Sequence, residues 1–326
     1  MTAFIPFWFI VIAILWTGFF ILEGFDFGVG MLHSAVGRDD AERRAAVNTI
    51  GPLWDGNEVW LIVAGAGMFA AFPGWYATMF SAYNLALVLL LAALIVRGVA
   101  FEYRGKRDAA RWRRTWDVAL TTGSVLAPLL IGIALGGLLH GATFLALKTT
   151  DDMRVRSGRL ARQIAPVTAA AVVAFAIWTH VTSSSTFFLN PVELLAVLAV
   201  LAAVWLIYDH REGFAFAATT VTMAASIVAF FTGLYPNVMV SSTNAASNLT
   251  VHNTASGAYS LKVMTVVVVI FLPVVLAYQT WTYYVFRQRV STRAFQPSPA
   301  RSASVGAPPA HPATPDGAAP PAGHGQ

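Results

Sequence analysis

The 326-residue sequence contains no cysteine, which excludes disulfides, thiolate metal sites, iron–sulfur clusters and cysteine nucleophiles together. Charge is almost as scarce. Only 11% of residues are Asp, Glu, Lys or Arg, against about 25% in soluble globular chains. What replaces them is apolar: 57% of residues are hydrophobic and the mean hydropathy is +0.63. With 22 Phe, 10 Trp and 9 Tyr the bulk of the chain is not disordered, because disordered chains are poor in aromatics. The formal charge of +5 sits in short basic clusters between apolar runs. That pattern belongs to membrane loops and not to a nucleic-acid-binding face, so no nucleic-acid partner is expected.

The expected fold is an all-α polytopic membrane protein with about eight spans. A crossing needs roughly 20 mostly apolar residues, and such runs lie near 5–33, 54–72, 76–100, 117–147, 164–188, 192–208, 214–235 and 260–286. The first run lacks a basic flank and outruns the roughly 7–15 residues of a signal-peptide core, so it reads as a helix that is kept. Basic residues cluster at Arg38–Arg44, Arg104–Arg114, Lys148–Arg162, Arg211 and Arg287–Arg293. The loops Phe72–Tyr76, Thr182–Pro191 and Tyr235–Tyr259 carry no Lys or Arg. The positive-inside rule therefore puts the first set in the cytoplasm and the N-terminus outside. No strand pattern is evident.

Residues 117–147 break the alternation, since basic loops flank them on both sides and demand an even number of crossings. Thirty-one residues of helix reach only about 46 Å, whereas two crossings need about 60 Å. The stretch is one long tilted helix, a shallow re-entrant pair broken near Gly132, Gly136, Gly137 and Gly141, or the scar of a lost helix. Two domains are expected: 1–290 as the membrane domain and 291–326 as a disordered cytoplasmic tail. Eight of the 16 prolines fall between Pro297 and Pro321, mixed with Ala, Gly and Ser, and such a composition builds no core.

Ionisable residues inside a bilayer are costly and point to function. Glu23 and Asp26, spaced by three, share one face of the first span, where Gly24, Gly28 and Gly30 leave room for a neighbouring helix. Asp55 and Glu58 open the second span, and Arg97 and Glu102 close the third. Five carboxyls thus converge on the cytoplasmic half with Arg97 as counter-ion, a set able to carry protons or to fix two subunits in register. The helix dipole alone favours Asp55 and Glu58 in a first turn by about 0.3–1 kcal/mol each. A bis-imidazole haem site needs two histidines at matching depth on facing helices. His33, His180, His210 and His252 lie at span ends or in loops, His311 and His324 in the tail, and only His140 in an apolar run, so no haem ligated by this chain is expected. No catalytic group or metal site is read from the chain.

Three segments carry a resemblance: Gly24-Phe-Asp-Phe-Gly-Val-Gly30, Asn48-Thr-Ile-Gly-Pro-Leu-Trp-Asp-Gly-Asn-Glu-Val-Trp60 and Arg97-Gly-Val-Ala-Phe-Glu-Tyr-Arg104. They closely resemble signatures of subunit II of cytochrome bd-type quinol oxidases, and the likeness covers all but the tail. It implies a heterodimer in a bacterial cytoplasmic membrane with subunit I, which holds haem b, haem d and the main quinol site. The complex oxidises quinol and reduces dioxygen to water with cytoplasmic protons. It further implies contact with membrane lipids and a structural quinone as a candidate ligand of subunit II. By motif, Asp55 and Glu102 resemble the family's proton-path carboxylates, joined by Asp26, Glu58 and Glu23. Trp54, Trp60, Arg97, Gly24, Gly28 and Asn57 match characteristic structural positions. The family normally has nine crossings, two four-helix bundles plus a peripheral helix. Here Leu138-Leu139-His140-Gly141 reads as a direct junction between two of them. The rival class is a secondary transporter working through membrane carboxylates. It predicts acidic residues in both halves, whereas between residues 164 and 290 there are only Glu193, Asp209 and Glu212, all at span ends.

Overall fold

Apolar runs in a bilayer close all their backbone hydrogen bonds within helices, and helices dominate the computed structural model, which describes residues 4–183 and 190–296. The helices in chain order are α1 (Phe4–Val36), α2 (Asp40–Asn48), α3 (Trp54–Ala71), α4 (Pro73–Ala82), α5 (Asn84–Tyr103), α6 (Ala110–Leu130), α7 (Ala134–Lys148), α8 (Asp151–Ser183), α9 (Pro191–Tyr208), α10 (Glu212–Leu234) and α11 (Ala258–Val285). Six of them, α1, α5, α8, α9, α10 and α11, are long and apolar enough to cross a membrane. The chain is an all-α multi-pass membrane protein. Between α10 and α11 a two-stranded antiparallel ribbon, β1 (Asn237–Met239) with β2 (Leu249–Thr250), departs from the strand-free expectation. The tail from 297 onward lies outside the described residues. Within 291–296, Thr292–Phe295 forms a helical turn and Phe295 packs against the apolar cluster beneath α2.

α1 is the axis of the bundle. At the end away from the basic clusters, Trp8, Ile12 and Phe19 of α1 pack with Met68, Phe72, Trp75 and Phe231. At the basic end, Phe25 and Leu32 pack with Phe144, Leu145 and Ala161. α11 stays at the periphery with Leu261 as its one buried residue. Trp8 Nε1 donates to the Leu261 carbonyl (3.2 Å) and Thr265 Oγ1 (3.0 Å) at one end of it. Lys148 Nζ donates to the carbonyls of Phe286 and Gln288 at the other.

Residues 117–147 form the re-entrant pair. α6 runs against α1, with Asp117 beside His33 and Ser124 beside Gly30. The chain reverses at Ile131–Ile133, and α7 runs back along α1 with Gly137 and Gly141 against Gly24 and Gly28. The break follows Pro128 and turns on Gly132 at φ +80°, a left-handed conformation that glycine adopts without penalty. Ile133 N–H closes the turn onto the Pro128 carbonyl at 2.8 Å. Both ends of the pair emerge among basic residues, which is what the flanking charges require. The junction read at Leu138–Gly141 lies within the unbroken helix α7, a few residues beyond the chain reversal at Ile131–Ile133.

Contact between α1 and α7 is backbone on backbone. A Cβ added at Gly28 would fall 2.1 Å from the Gly137 carbonyl oxygen, and one at Gly141 would fall 2.4 Å from Gly28 Cα. Without a hydrophobic drive between helices in lipid, this closeness supplies the dispersion that holds them. Gly28→Ala is therefore expected to cost about 1–3 kcal/mol by overpacking and to lower the thermal midpoint of the purified protein. Gly65→Ala meets nothing within 4 Å and should leave the midpoint unchanged. Equal midpoints for the two variants would refute the close contact.

Candidate functional site

The polar centre is assembled by α1, α3, α5 and α11. Spacing of three sets Glu23 and Asp26 on one face of α1, and both are fully buried. Arg97, in the last turns of α5, is fully buried too. Its Nη1 is in contact with Glu23 Oε1, and it donates to Glu58 Oε1 at 2.6 Å. Phe27 and Phe101 flank the guanidinium, their ring centroids 4.9 and 5.2 Å from Cζ, so cation–π attraction adds to the ion pairs. Asp26 accepts from Asn57 Nδ2 at 2.7 Å. Asn57 Oδ1 in turn accepts from Gln279 Nε2 and Tyr283 Oη, both at 2.9 Å.

The donor and acceptor count does not close. Asp26 Oδ1, Glu23 Oε2, Arg97 Nε and Arg97 Nη2 are buried without a hydrogen-bond partner. Two carboxyls, Glu23 and Glu58, meet one guanidinium with Asp26 a turn further along α1, and arginine does not give up its proton. Carboxyls in excess of countercharge, out of water and within reach of one another, form an arrangement suited to taking up and passing protons.

Of the residues singled out by sequence, the structure brings Glu23, Asp26, Glu58, Arg97 and Asn57 together. Asp55 and Glu102 are exposed at the basic end, and neither joins the buried hydrogen-bond network. Trp54 stacks on Phe101 at 4.9 Å and 17°, beneath one of the rings that flank Arg97. Trp60 lies over Gly18, where a Cβ would sit 2.4 Å from its ring. Gly24 faces Met223, and Gly28 faces α7. Gln279 and Tyr283 were not anticipated; a glutamine inside an apolar span was the available signal. A second, more solvated network ties α1, α2 and α6 at the basic end. Asp117 accepts from Arg104 Nε at 2.5 Å and meets His33 Nε2 at 3.3 Å, and Asp40 bridges Arg104 and Arg113 at 3.0 and 2.8 Å.

Apolar helices closed around a desolvated set of carboxyls define a multi-pass membrane protein with an internal protonatable site. The chain matches the profile of cytochrome bd terminal oxidase subunit II over residues 5–141 and 138–286, and it belongs to that family. It is 40% identical to cytochrome bd ubiquinol oxidase subunit 2 of Bacillus subtilis (strain 168), with 87% of this chain and 96% of the relative covered. It is 30% identical to cytochrome bd-I ubiquinol oxidase subunit 2 of Escherichia coli (strain K12), covering 87% and 94%. The figure is 32% for the probable cytochrome oxidase subunit 2 of Haemophilus influenzae, covering 85% and 92%. Family membership implies a subunit I partner and haem within the complex, and it displaces the transporter reading.

The described histidines do not fit a haem on this chain. His33 is bound to the Gly30 carbonyl and Asp117, and His180 to Glu193. His140 is bound to Thr219 and stacked on Phe216 at 4.5 Å. His210 lies against Arg162. These four imidazoles are engaged by protein groups, and His252 is exposed between α10 and α11.

Removing one partner of a buried ion pair typically costs about 3–5 kcal/mol, because the other charge is stranded. Arg97→Gln should therefore depress the thermal midpoint and yield of the assembled protein severely. Adding Glu23→Gln should recover part of the loss. A double variant whose losses simply add, measured by thermal unfolding of the purified protein, would show that the two side chains are not coupled.

Proposed function

We propose that this chain serves as the proton-conducting subunit II of a bacterial cytochrome bd-type quinol oxidase, seated in the cytoplasmic membrane beside a haem-bearing subunit I. Haems b and d of that partner supply the chemistry of quinol oxidation and dioxygen reduction when bound. This chain's residues supply protons from the basic, cytoplasmic face. Asp55 and Glu102, exposed at that face, gather protons from water. Glu58 takes them inward, and Glu23 with Asp26 forms the buried store. Asp26 stands ten residues before the end of α1, about 15 Å of helix from the basic end.

The observation that carries this reading is the position of Glu58. Its side chain keeps 23% of its surface exposed, and its Oε1 receives a hydrogen bond from the same Arg97 nitrogen that contacts fully buried Glu23. One carboxyl thus touches both the solvated edge and the desolvated interior, which is what a relay requires. Quinol and a structural quinone belong to this proposal as ligands of the complex, with the main quinol site on subunit I.

The test is oxygen consumption normalised to haem in the purified complex. Glu58→Gln and Asp26→Asn keep side-chain size but remove the titrating group, and positioned acid–base groups typically contribute about 10²–10⁴-fold. Both variants should assemble with full haem content and turn over at least about tenfold more slowly. Asp55→Asn should fall by less, since water reaches its neighbours directly. Unchanged turnover per haem in Glu58→Gln and Asp26→Asn would reduce the chain to a scaffold for subunit I.

A further inference from the structure

Around the re-entrant turn, reaching from Trp75 to Leu139 and Thr219, lies a cavity of about 1200 Å³. Trp16 and Phe20 of α1 line it, with Met68, Trp75, Phe175 and Phe231 from surrounding helices, and the turn residues Ile131–Gly136 form its floor. No charged side chain lines it. The hydroxyls of Thr168, Thr219 and Thr222 are already turned onto the carbonyls of Leu135, Phe216 and Ala218, and Ser226 Oγ lacks a partner. Phe69, Leu91, Leu129 and Phe230 belong both to this lining and to the exposed apolar surface. The cavity is therefore continuous with the face that meets lipid.

This chain is also shorter than a relative it matches. The alignment with the Bacillus subtilis relative runs over 324 positions, of which this chain supplies 87% of its 326 residues, about 284. About 40 positions of that relative therefore face nothing here. The two profile matches, 5–141 and 138–286, meet at 138–141, just beyond the turn that truncates α6 and α7. The two matches thus meet within α7 at Leu139, a residue of this cavity's own lining.

We propose that the cavity binds the two acyl chains of a membrane phospholipid, which serve as packing for α1, α8 and α10. The volume fits. A methylene occupies about as much space as a water in the liquid, roughly 30 Å³, so the cavity holds on the order of 40 chain carbons, close to one diacyl lipid. Access fits as well, because the lining opens onto the lipid-facing surface at Phe69, Leu91, Leu129 and Phe230, so an acyl chain enters without crossing polar surface. Water is a poor occupant, since an ordered water needs two to four polar partners and the lining is overwhelmingly apolar, with the hydroxyls of Tyr76, Tyr83 and Ser226 as its scattered unspent polar groups. A helix from another polypeptide is also disfavoured. One that ended on this floor would leave terminal N–H and C=O groups without partners in hydrocarbon, whereas an acyl chain has none.

The experiment uses the whole complex of this chain with its subunit I. Native mass spectrometry after mild detergent washing should find a retained two-chain phospholipid on the wild type. Gly136→Phe grows a ring from a position with nothing within 4 Å into the cavity, and it should cut that retention at least fivefold. Exhaustive delipidation should lower the thermal midpoint of the wild type, and added dioleoylphosphatidylglycerol should restore it; the Gly136→Phe midpoint should respond to neither. Equal retention and equal response in the two proteins would overturn the proposal, as would a retained polypeptide or isoprenoid quinone in place of phospholipid. If Gly136→Phe does not assemble, a density map of the wild-type complex in phosphatidylglycerol nanodiscs decides. Two side-by-side chain-like densities on the Ile131–Gly136 floor support the inference, and a helix from the partner or an empty volume refutes it.

Discussion

A guanidinium in hydrocarbon is the constraint around which the bundle is arranged. Transferring an isolated charge out of water costs far more than any single packing contact returns, and partners recover it only with good geometry. Arg97 recovers it four ways, through Glu23, Glu58 and the faces of Phe27 and Phe101. Those partners come from α1, α3 and α5, so the three helices cannot slide or rotate independently without stranding a charge. Asn57 extends the constraint to α11. Its Oδ1 is occupied by Gln279 and Tyr283, which leaves Nδ2 as the group facing Asp26. A helix with a single buried residue is thereby held to the bundle chiefly by polar contacts.

The opposite side of α1 follows a different rule. There, Gly24 and Gly28 meet Gly137 and Gly141 with no side chain between them, and packing rather than charge sets the distance. The division suits the chemistry. Glu23 and Asp26 on one face of α1 meet the polar centre, while its glycine face fixes the helix against α7 and α10. The re-entrant pair is consistent with the demand that backbone groups within a membrane be closed by protein. Its turn carries its own hydrogen bonds from Ile131, Gly132 and Ile133 to Ala127, Leu129 and Pro128.

Much of this was legible in the sequence, and what was not had a physical reason. Length, hydropathy and the distribution of Lys and Arg locate the long helices, because bilayer thickness and loop charge leave little choice. The same two rules, colliding over 117–147, pointed to a re-entrant pair as one solution. They could not place the turn, which depends on Gly132 and Pro128 among several glycines. For the site, a spacing of three is enough to put Glu23 beside Asp26, and Arg97 is conspicuous in an apolar run. Periodicity reports which residues share a face and says nothing of which faces meet. Asp55 therefore looked as central as Glu58, one turn away, although the first points to the edge and the second to Arg97. Gln279 and Tyr283 lie more than 220 residues from Asn57, a pairing that local sequence does not encode.

Within the cluster the parts are not equally free to act. Arg97 is pinned between two rings and keeps its charge at any accessible pH, so it serves as a fixed reference and not as a carrier. Glu23 and Asp26 are sealed from solvent, and a proton reaches them only through another group or a transient water. Glu58 alone combines a partly exposed side chain with a direct bond to the fixed cation. Rotating its carboxyl outward breaks that bond and meets water, and rotating it back presents the group to the node it shares with Glu23. In the proposed path, a stationary arginine, two buried carboxyls and one partly exposed carboxyl at the edge form the relay, and it asks for no large motion beyond a side-chain rotation at Glu58. The rigidity that Arg97 imposes on three helices confines the motion to that residue.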